Sequence, residues 1–168
     1  MHVRKVTKTD DFDAIANIYA QSWKAAYHGI VPQDFLDSLT TKQWSDKLAN
    51  STFDAYVILE DDKYIGTSSI CAARDVKMAG YGEIISIYLL PEYFGRGYAK
   101  PLIDCVTNAL LEKGYSNIYL WTLTENIRAQ KFYEKHGFHK NDDISTIEIA
   151  GKELTEFRYV KCLLTAEN

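Results

Sequence analysis

The sequence predicts an α/β domain in which a mixed sheet carries helices on both faces. Three observations lead there. Apolar residues alternate between a period of two and a period near 3.6, in the order strand, helices, hairpin, strand, helix, strand, helix, hairpin. An apolar run from Glu83 to Leu89 passes through a glycine loop, Gly95-Arg96-Gly97, into a helical stretch. The chain has 168 residues, 46% of them hydrophobic and 25% charged, which suits one soluble globular core, so residues 1–168 are read as a single domain.

Each element has a local reason. His2 to Thr7 alternates around Val3 and Val6 and reads as a first strand. Thr9-Asp10 offers a helix cap, and Ile15, Ile18, Tyr19 and Trp23 then recur at helical spacing until Tyr27 to Pro32 breaks the pattern. A short helix from Gln33 to Leu39 and another around Lys42 to Leu48, after Thr40-Thr41, follow. Tyr56 to Leu59 and Tyr64 to Ala72 flank the polar turn Glu60-Asp61-Asp62-Lys63, a hairpin signature. A longer connection, Arg74 to Tyr81, leads to the central strand Glu83–Leu89. Leu102, Ile103, Val106 and Leu110 line one stripe of a long helix that Pro101 keeps from starting much before Tyr98 and that Gly114 ends. Asn117 to Leu123 is strand-like, Asn126 caps a helix closed by Gly137, and Ile144 to Ile149 with Leu154 to Leu163 form a last hairpin. The tail from Thr165 is expected to fray.

Composition narrows the function. A net charge of -4 with no basic stripe argues against nucleic acid as a partner. The N-terminus lacks the apolar stretch of a signal peptide, and no run is long enough to span a membrane, so no membrane partner is expected. Three widely spaced cysteines, Cys71, Cys105 and Cys162, give neither a disulfide framework nor a metal site; all three read as buried thiols in a reducing cytoplasm, with no metal expected.

The glycine loop is the chemical clue. Gly95 and Gly97 let the backbone curl where the next helix begins, and the opening N–H groups of a helix lack partners of their own. Such a turn suits an anion. Neither the P-loop spacing with its lysine nor the dinucleotide fingerprint with its acidic residue is present. Instead, Phe94-x-x-Gly97-x-Ala99 follows Pro91-Glu92-Tyr93, and further on Asn126-x-x-Ala129-x-x-Phe132-Tyr133-x-x-x-Gly137-Phe138 appears.

The pair resembles the GNAT superfamily of acetyl-CoA-dependent N-acetyltransferases, from Glu83 to Phe138. The first motif usually reads Gln/Arg-x-x-Gly-x-Gly/Ala. Phe94 departs from it and removes one polar side chain near the cofactor. The second motif, Asn-x-x-Ala-x-x-Phe-Tyr-x-x-x-Gly-Phe, is matched at every defined position. The resemblance implies a mostly antiparallel mixed sheet of about seven strands, splayed between the fourth and the fifth. It also implies acetyl-CoA as acetyl donor, with its pantetheine arm paired to the backbone of Ile87, Tyr88 and Leu89. The pyrophosphate would rest on the amides of Gly95, Arg96, Gly97, Tyr98, Ala99 and Lys100, with the side chains of Arg96 and Lys100 as helpers, and Asn126 would lie near the pantetheine arm.

For catalysis the resemblance assigns Tyr133 as the acid that protonates the departing sulfur. Glu83 is the candidate base, at the strand position where several histone-acetylating members carry a glutamate; a water chain is the alternative. A bulged backbone N–H of Tyr88 or Leu89 would hold the oxyanion. Acceptor recognition falls to Trp23, Tyr27 and His28, with Phe35 nearby and Tyr159 from the other side. The acceptor would be a primary amine on a small molecule, peptide or protein, and family habit allows a homodimer. A non-catalytic acyl-CoA-binding module of the same fold is the alternative.

Overall fold

The computed structural model describes residues 1–164, so the expected fraying from Thr165 lies outside the described residues. Seven strands form one sheet: β1 (His2–Lys5), β2 (Asp54–Glu60), β3 (Lys63–Ala72), β4 (Gly82–Leu89), β5 (Asn117–Leu123), β6 (His139–Ile149) and β7 (Lys152–Cys162), in the spatial order β1-β2-β3-β4-β5-β7-β6. Every neighbouring pair is antiparallel except β4 and β5. Five helices cover it: α1 (Phe12–Ala26), α2 (Gln33–Ser38), α3 (Ser45–Ala49), α4 (Ala99–Glu112) and α5 (Ile127–Lys135).

On one face α4 seats Ile103, Val106 and Leu110 against Ile70, Ile84, Ile118 and Leu120, and Leu102 against Ile58, Ile65 and Leu89, all four α4 residues fully buried. At roughly 1.5–3 kcal/mol for each buried aliphatic side chain, this stripe is a main source of stability. On the other face α1 lays Ile15 and Tyr19 on Val57 and Leu59, and α2 closes a smaller cluster of Val31, Leu36, Leu39, Leu123 and Leu154. A one-residue bulge at Ile85, where Ser69 faces Ser86 but Ile70 faces Ile84, keeps Ile84 and Ile87 in the same cluster.

Several local expectations shift. Asp11, not Asp10, caps α1, through its carboxylate and the Ala14 N–H. Asp10 is otherwise engaged: Arg4 holds it bidentately, and Tyr64 and Thr7 also donate to it. The third helical stretch splits into a 3-10 turn at Thr41–Gln43 and α3, because Trp44 sits between them with its ring near Tyr19 and Trp23. Pairing along β7 draws β6 back to His139, well before Ile144. Cys162 is exposed at the end of β7 and is not a core thiol, whereas Cys71 and Cys105 are partly buried.

Candidate active site

β4 and β5 run side by side for two residues and then part. Gly82 faces Ile118 and Glu83 faces Tyr119; beyond them no further pairs form among the described residues. The Leu90 N–H donates to the Ile65 carbonyl at 2.8 Å. Backbone groups alternate sides along a strand, so the Tyr88 amide also points to β3, while the amides and carbonyls of Ile87 and Leu89 turn toward the gap. Of the three residues expected to pair with a ligand, two present backbone to it. The expected oxyanion donors divide the same way, in favour of Leu89, and the bulge itself lies earlier, at Ile85.

The gap opens into a cavity of about 410 Å³ that passes through the sheet. From the α1 face come Trp23 and Tyr27; from α5 and its cap come Asn126, Arg128, Ala129 and Tyr133; Phe94, Gly95 and Ala99 line the mouth. Asn126 keeps its capping role, its Oδ1 accepting the Ala129 N–H at 3.2 Å. The loop before α4 is held by positive φ at Gly95 (71°) and Gly97 (87°). Among the described residues, the amides of Gly95, Arg96, Gly97, Tyr98 and Ala99 find no protein acceptor, whereas that of Lys100 is bonded to the Gly97 carbonyl. These five donors at a helix entry, beside a strand edge left open, fit a diphosphate joined to an extended arm. The side chains expected to help are drawn aside: Lys100 pairs with Asp104 one turn on, and Arg96 bonds the Glu92 carbonyl and lies over Tyr93 and Tyr98.

Tyr133 is at the centre. Its hydroxyl has no hydrogen-bond partner among the described residues, and its ring packs on Phe138 and Tyr159. Burial first, and the neighbouring Tyr88 phenol second, push its pKa well above the ordinary range, while Arg128 pulls weakly the other way. Tyr27, arriving through the gap from α1, is raised in the same manner by burial and then by Tyr133.

Glu83 is placed differently. Only 2% exposed, its Oε2 accepts from the Arg74 backbone N–H at 3.0 Å, Arg74 Nε at 3.1 Å and the Tyr119 hydroxyl at 2.7 Å, while Oε1 accepts from Arg74 at 2.6 Å. Burial works against its charge, but Arg74 and then Tyr119 outweigh it and hold the carboxyl below its ordinary value. Burial, and donation to Glu83, push the Tyr119 phenol up to about 12. A carboxylate so engaged is a weak base. It clasps the β3–β4 connection to β5.

His28 stays outside the cavity, exposed, with Nδ1 on Gln33 Oε1 at 2.9 Å. Tyr159 faces α5 instead, its hydroxyl on Glu134, because residues on β7 alternate faces and it is Glu156 that reaches the cavity. Three charged cavity residues lie outside the expectations from sequence: Glu156, Arg74 and Arg128. The Arg128 guanidinium lies 3.7 Å from the Phe94 ring centroid, which places a cation where the first motif lost its polar side chain. The strand parity of Glu156 with Leu154 was the readable signal for the first; nothing local marks the other two.

Comparison with known proteins gives a consistent answer. The model of the acetyltransferase (GNAT) family matches residues 12–138. An uncharacterized N-acetyltransferase, YuaI of Bacillus subtilis, is 30% identical over 151 residues, covering 89% of this chain and 86% of that protein. The spermidine N(1)-acetyltransferase of Thermoplasma acidophilum is 26% identical over 147 residues, covering 84% and 90%. The N-alpha-acetyltransferase 30 of Schizosaccharomyces pombe is 29% identical over 109 residues, 63% and 69%. In fold, the chain resembles the crystal structure of the PaiA N-acetyltransferase of Thermoplasma acidophilum in complex with coenzyme A, with a TM-score of 0.77, 22% identity, and coverage of 96% and 98%. With the parted strands, the free loop amides and both motifs, these matches establish that the chain belongs to the acetyltransferase (GNAT) family.

Proposed function

We propose that the protein moves an acetyl group from acetyl-CoA to a primary amine by direct attack within a ternary complex. The observation that carries this is a single cavity onto which both the open backbone edge of β4 and the unpartnered hydroxyl of Tyr133 face. The amides of Gly95 to Ala99 hold the diphosphate, and the backbone of Ile87 and Leu89 aligns the arm so that the thioester lies across the gap. Arg128, stacked on Phe94, adds positive charge at the mouth. The Leu89 N–H is aimed to stabilise the charge that grows on the acetyl oxygen as the amine nitrogen bonds to the carbonyl carbon. When the carbon–sulfur bond breaks, Tyr133 gives its proton to sulfur and later recovers one from solvent. A phenol whose pKa is raised stays protonated at neutral pH, ready to donate.

The relatives named as a spermidine N(1)-acetyltransferase and an N-alpha-acetyltransferase support two acceptor classes, small alkylamines and α-amines such as those of peptides. The test begins with the donor. Acetyl-CoA at 100 times its dissociation constant should stabilise the fold by about 2.7 kcal/mol, and ATP should not. Thiol release is then followed over polyamines, amino acids, aminoglycosides and peptides. Stabilisation by ATP alone would end this reading; tight acetyl-CoA binding without thiol release on any amine would leave a non-catalytic acyl-CoA-binding module.

A further inference from the structure

The cavity holds a second carboxylate. Glu156 lies on β7, opposite Leu123 of β5 and Ser145 of β6, past the point where β4 and β5 separate. Strand alternation sets it on the face shared by Leu154 and Arg158, under α1. Around it the cavity wall is apolar or aromatic: Trp23 and Tyr27 from α1, Trp121 and Leu123 from β5, Ile147 and Ile149 from β6. Among the described residues its carboxylate has no hydrogen bond and no ion pair. That is costly for a half-buried charge, and such a group is retained only where something else compensates it.

The cations nearby are committed. Arg74, which reaches the cavity from the β3–β4 connection, is spent on Glu83, and Arg158, next on the same face of β7, is held by Asp75 and Asp143. Arg128 of α5 lies at the mouth over Phe94. Tyr27 and Tyr133 are neutral phenols, and β5 and β6 add no charge to the cavity wall. The cavity is thus polarised, with free positive charge at the donor end and free negative charge at the far end.

We infer that Glu156 is the acceptor-side anchor: its carboxylate receives the ammonium of an alkyl- or aralkylamine and accepts the proton that must leave before nitrogen can attack. This rests on the acetyltransferase reading above. The balance is simple. R–NH3+ and the carboxylate become R–NH2 and the carboxylic acid; nitrogen bonds to the acetyl carbon as the carbon–sulfur bond breaks and Tyr133 protonates the sulfur; the second nitrogen proton passes to water as the amide forms, and Glu156 returns its own proton to water once the product leaves. Burial raises the Glu156 carboxyl above its ordinary value, opposed only by Arg74, which strengthens it as a base. The flanking aromatic rings favour a cation by the same geometry. An amine with a carboxylate or phosphate beside its nitrogen would set a second anion against Glu156 with no spare cation to meet it.

The experiment compares wild type with Glu156→Gln, using hexylamine, phenethylamine and spermidine against glycine and glucosamine 6-phosphate. Expected for the variant is a fall of roughly 100-fold in kcat/KM for the three alkylamines, with acetyl-CoA affinity unchanged. The acidic limb of the wild-type pH profile should disappear, leaving activity to climb only toward the pKa of the free amine. With CoA bound, hexylamine should raise the Tm of wild type and not that of the variant. Glu156→Asp, which keeps the charge, should restore part of the activity, and it also serves if the Gln variant fails to fold. Equal kcat/KM and an unaltered acidic limb in Glu156→Gln, or a preference for glycine or the phosphorylated amine, would overturn the inference while leaving the acetyltransferase reading intact. No thiol release by wild type, with hexylamine still stabilising it through Glu156, would sink that reading and keep the amine site.

Discussion

The two ends of β4 are built on opposite terms. Where it is zipped to β5, at Gly82 and Glu83, polar groups are matched: Glu83 takes both ends of Arg74 and the Tyr119 hydroxyl, and Gly82 is packed so tightly that an added Cβ would come 2.8 Å from Leu110. Where it is unzipped, the Ile87 and Leu89 backbone, the five loop amides, the Tyr133 hydroxyl and the Glu156 carboxylate are all without partners among the described residues. The same side-chain type, a glutamate near the cavity, is a fastening at one end and an unsatisfied charge at the other. Environment, not identity, sorts structural from chemical groups, and a protein that satisfies nearly all of its buried polar atoms marks its ligand site by the ones it leaves.

Breaking the unzipped end should show first in rate. Tyr133→Phe is expected to lower kcat about 100-fold, some 2.7 kcal/mol in barrier, with acetyl-CoA affinity nearly unchanged. Single-turnover thiol release against a binding titration separates the two, and an unchanged kcat would take Tyr133 out of the chemistry.

At the zipped end the loss should be in stability. Arg74→Ala removes both guanidinium donors from a buried carboxylate and should cost about 2 kcal/mol in urea unfolding at pH 7, discounted because Arg74 is itself half-exposed. The pH dependence has a definite sign. The folded Glu83 carboxyl is depressed, so its contribution is complete above the ordinary carboxylate value and lost as pH falls through the depressed one. The gap between wild type and variant should therefore close in acid; a gap that persists there would assign the stabilisation to packing of the Arg74 stem.

Smallest is the expected effect at the loop. Gly97→Glu forces a side chain onto a backbone with φ of 87° and sets a negative charge before the free amides, although among the described residues nothing beyond its chain neighbours lies within 4 Å of the new Cβ. Acetyl-CoA binding should weaken about 10-fold, or 1.4 kcal/mol. Equal affinity by calorimetry would place the diphosphate elsewhere.

The fold was largely legible because its signals are local. The α4 stripe of Leu102, Ile103, Val106 and Leu110 and the Gly114 stop need nothing beyond neighbouring residues, and the two motifs located the loop and α5. What sequence could not convey was pairing at a distance. Glu83 looked free because Arg74 lies nine residues away and Tyr119 thirty-six, contacts that only the folded sheet creates. The aromatic ring of Tyr159 suggests a place in the pocket, yet strand parity gives that place to Glu156. Tyr88 and Leu89 are indistinguishable as oxyanion donors in the sequence, although alternate backbone direction separates them in the sheet.

One consequence of the parted strands concerns inheritance. A ligand laid along β4 would be read by peptide N–H and C=O groups, which every residue except proline carries in full. Replacing Ile87 or Leu89 can therefore widen or narrow the slot without erasing its lettering, and a lineage could exchange side chains there while the grip on the donor passes down unaltered.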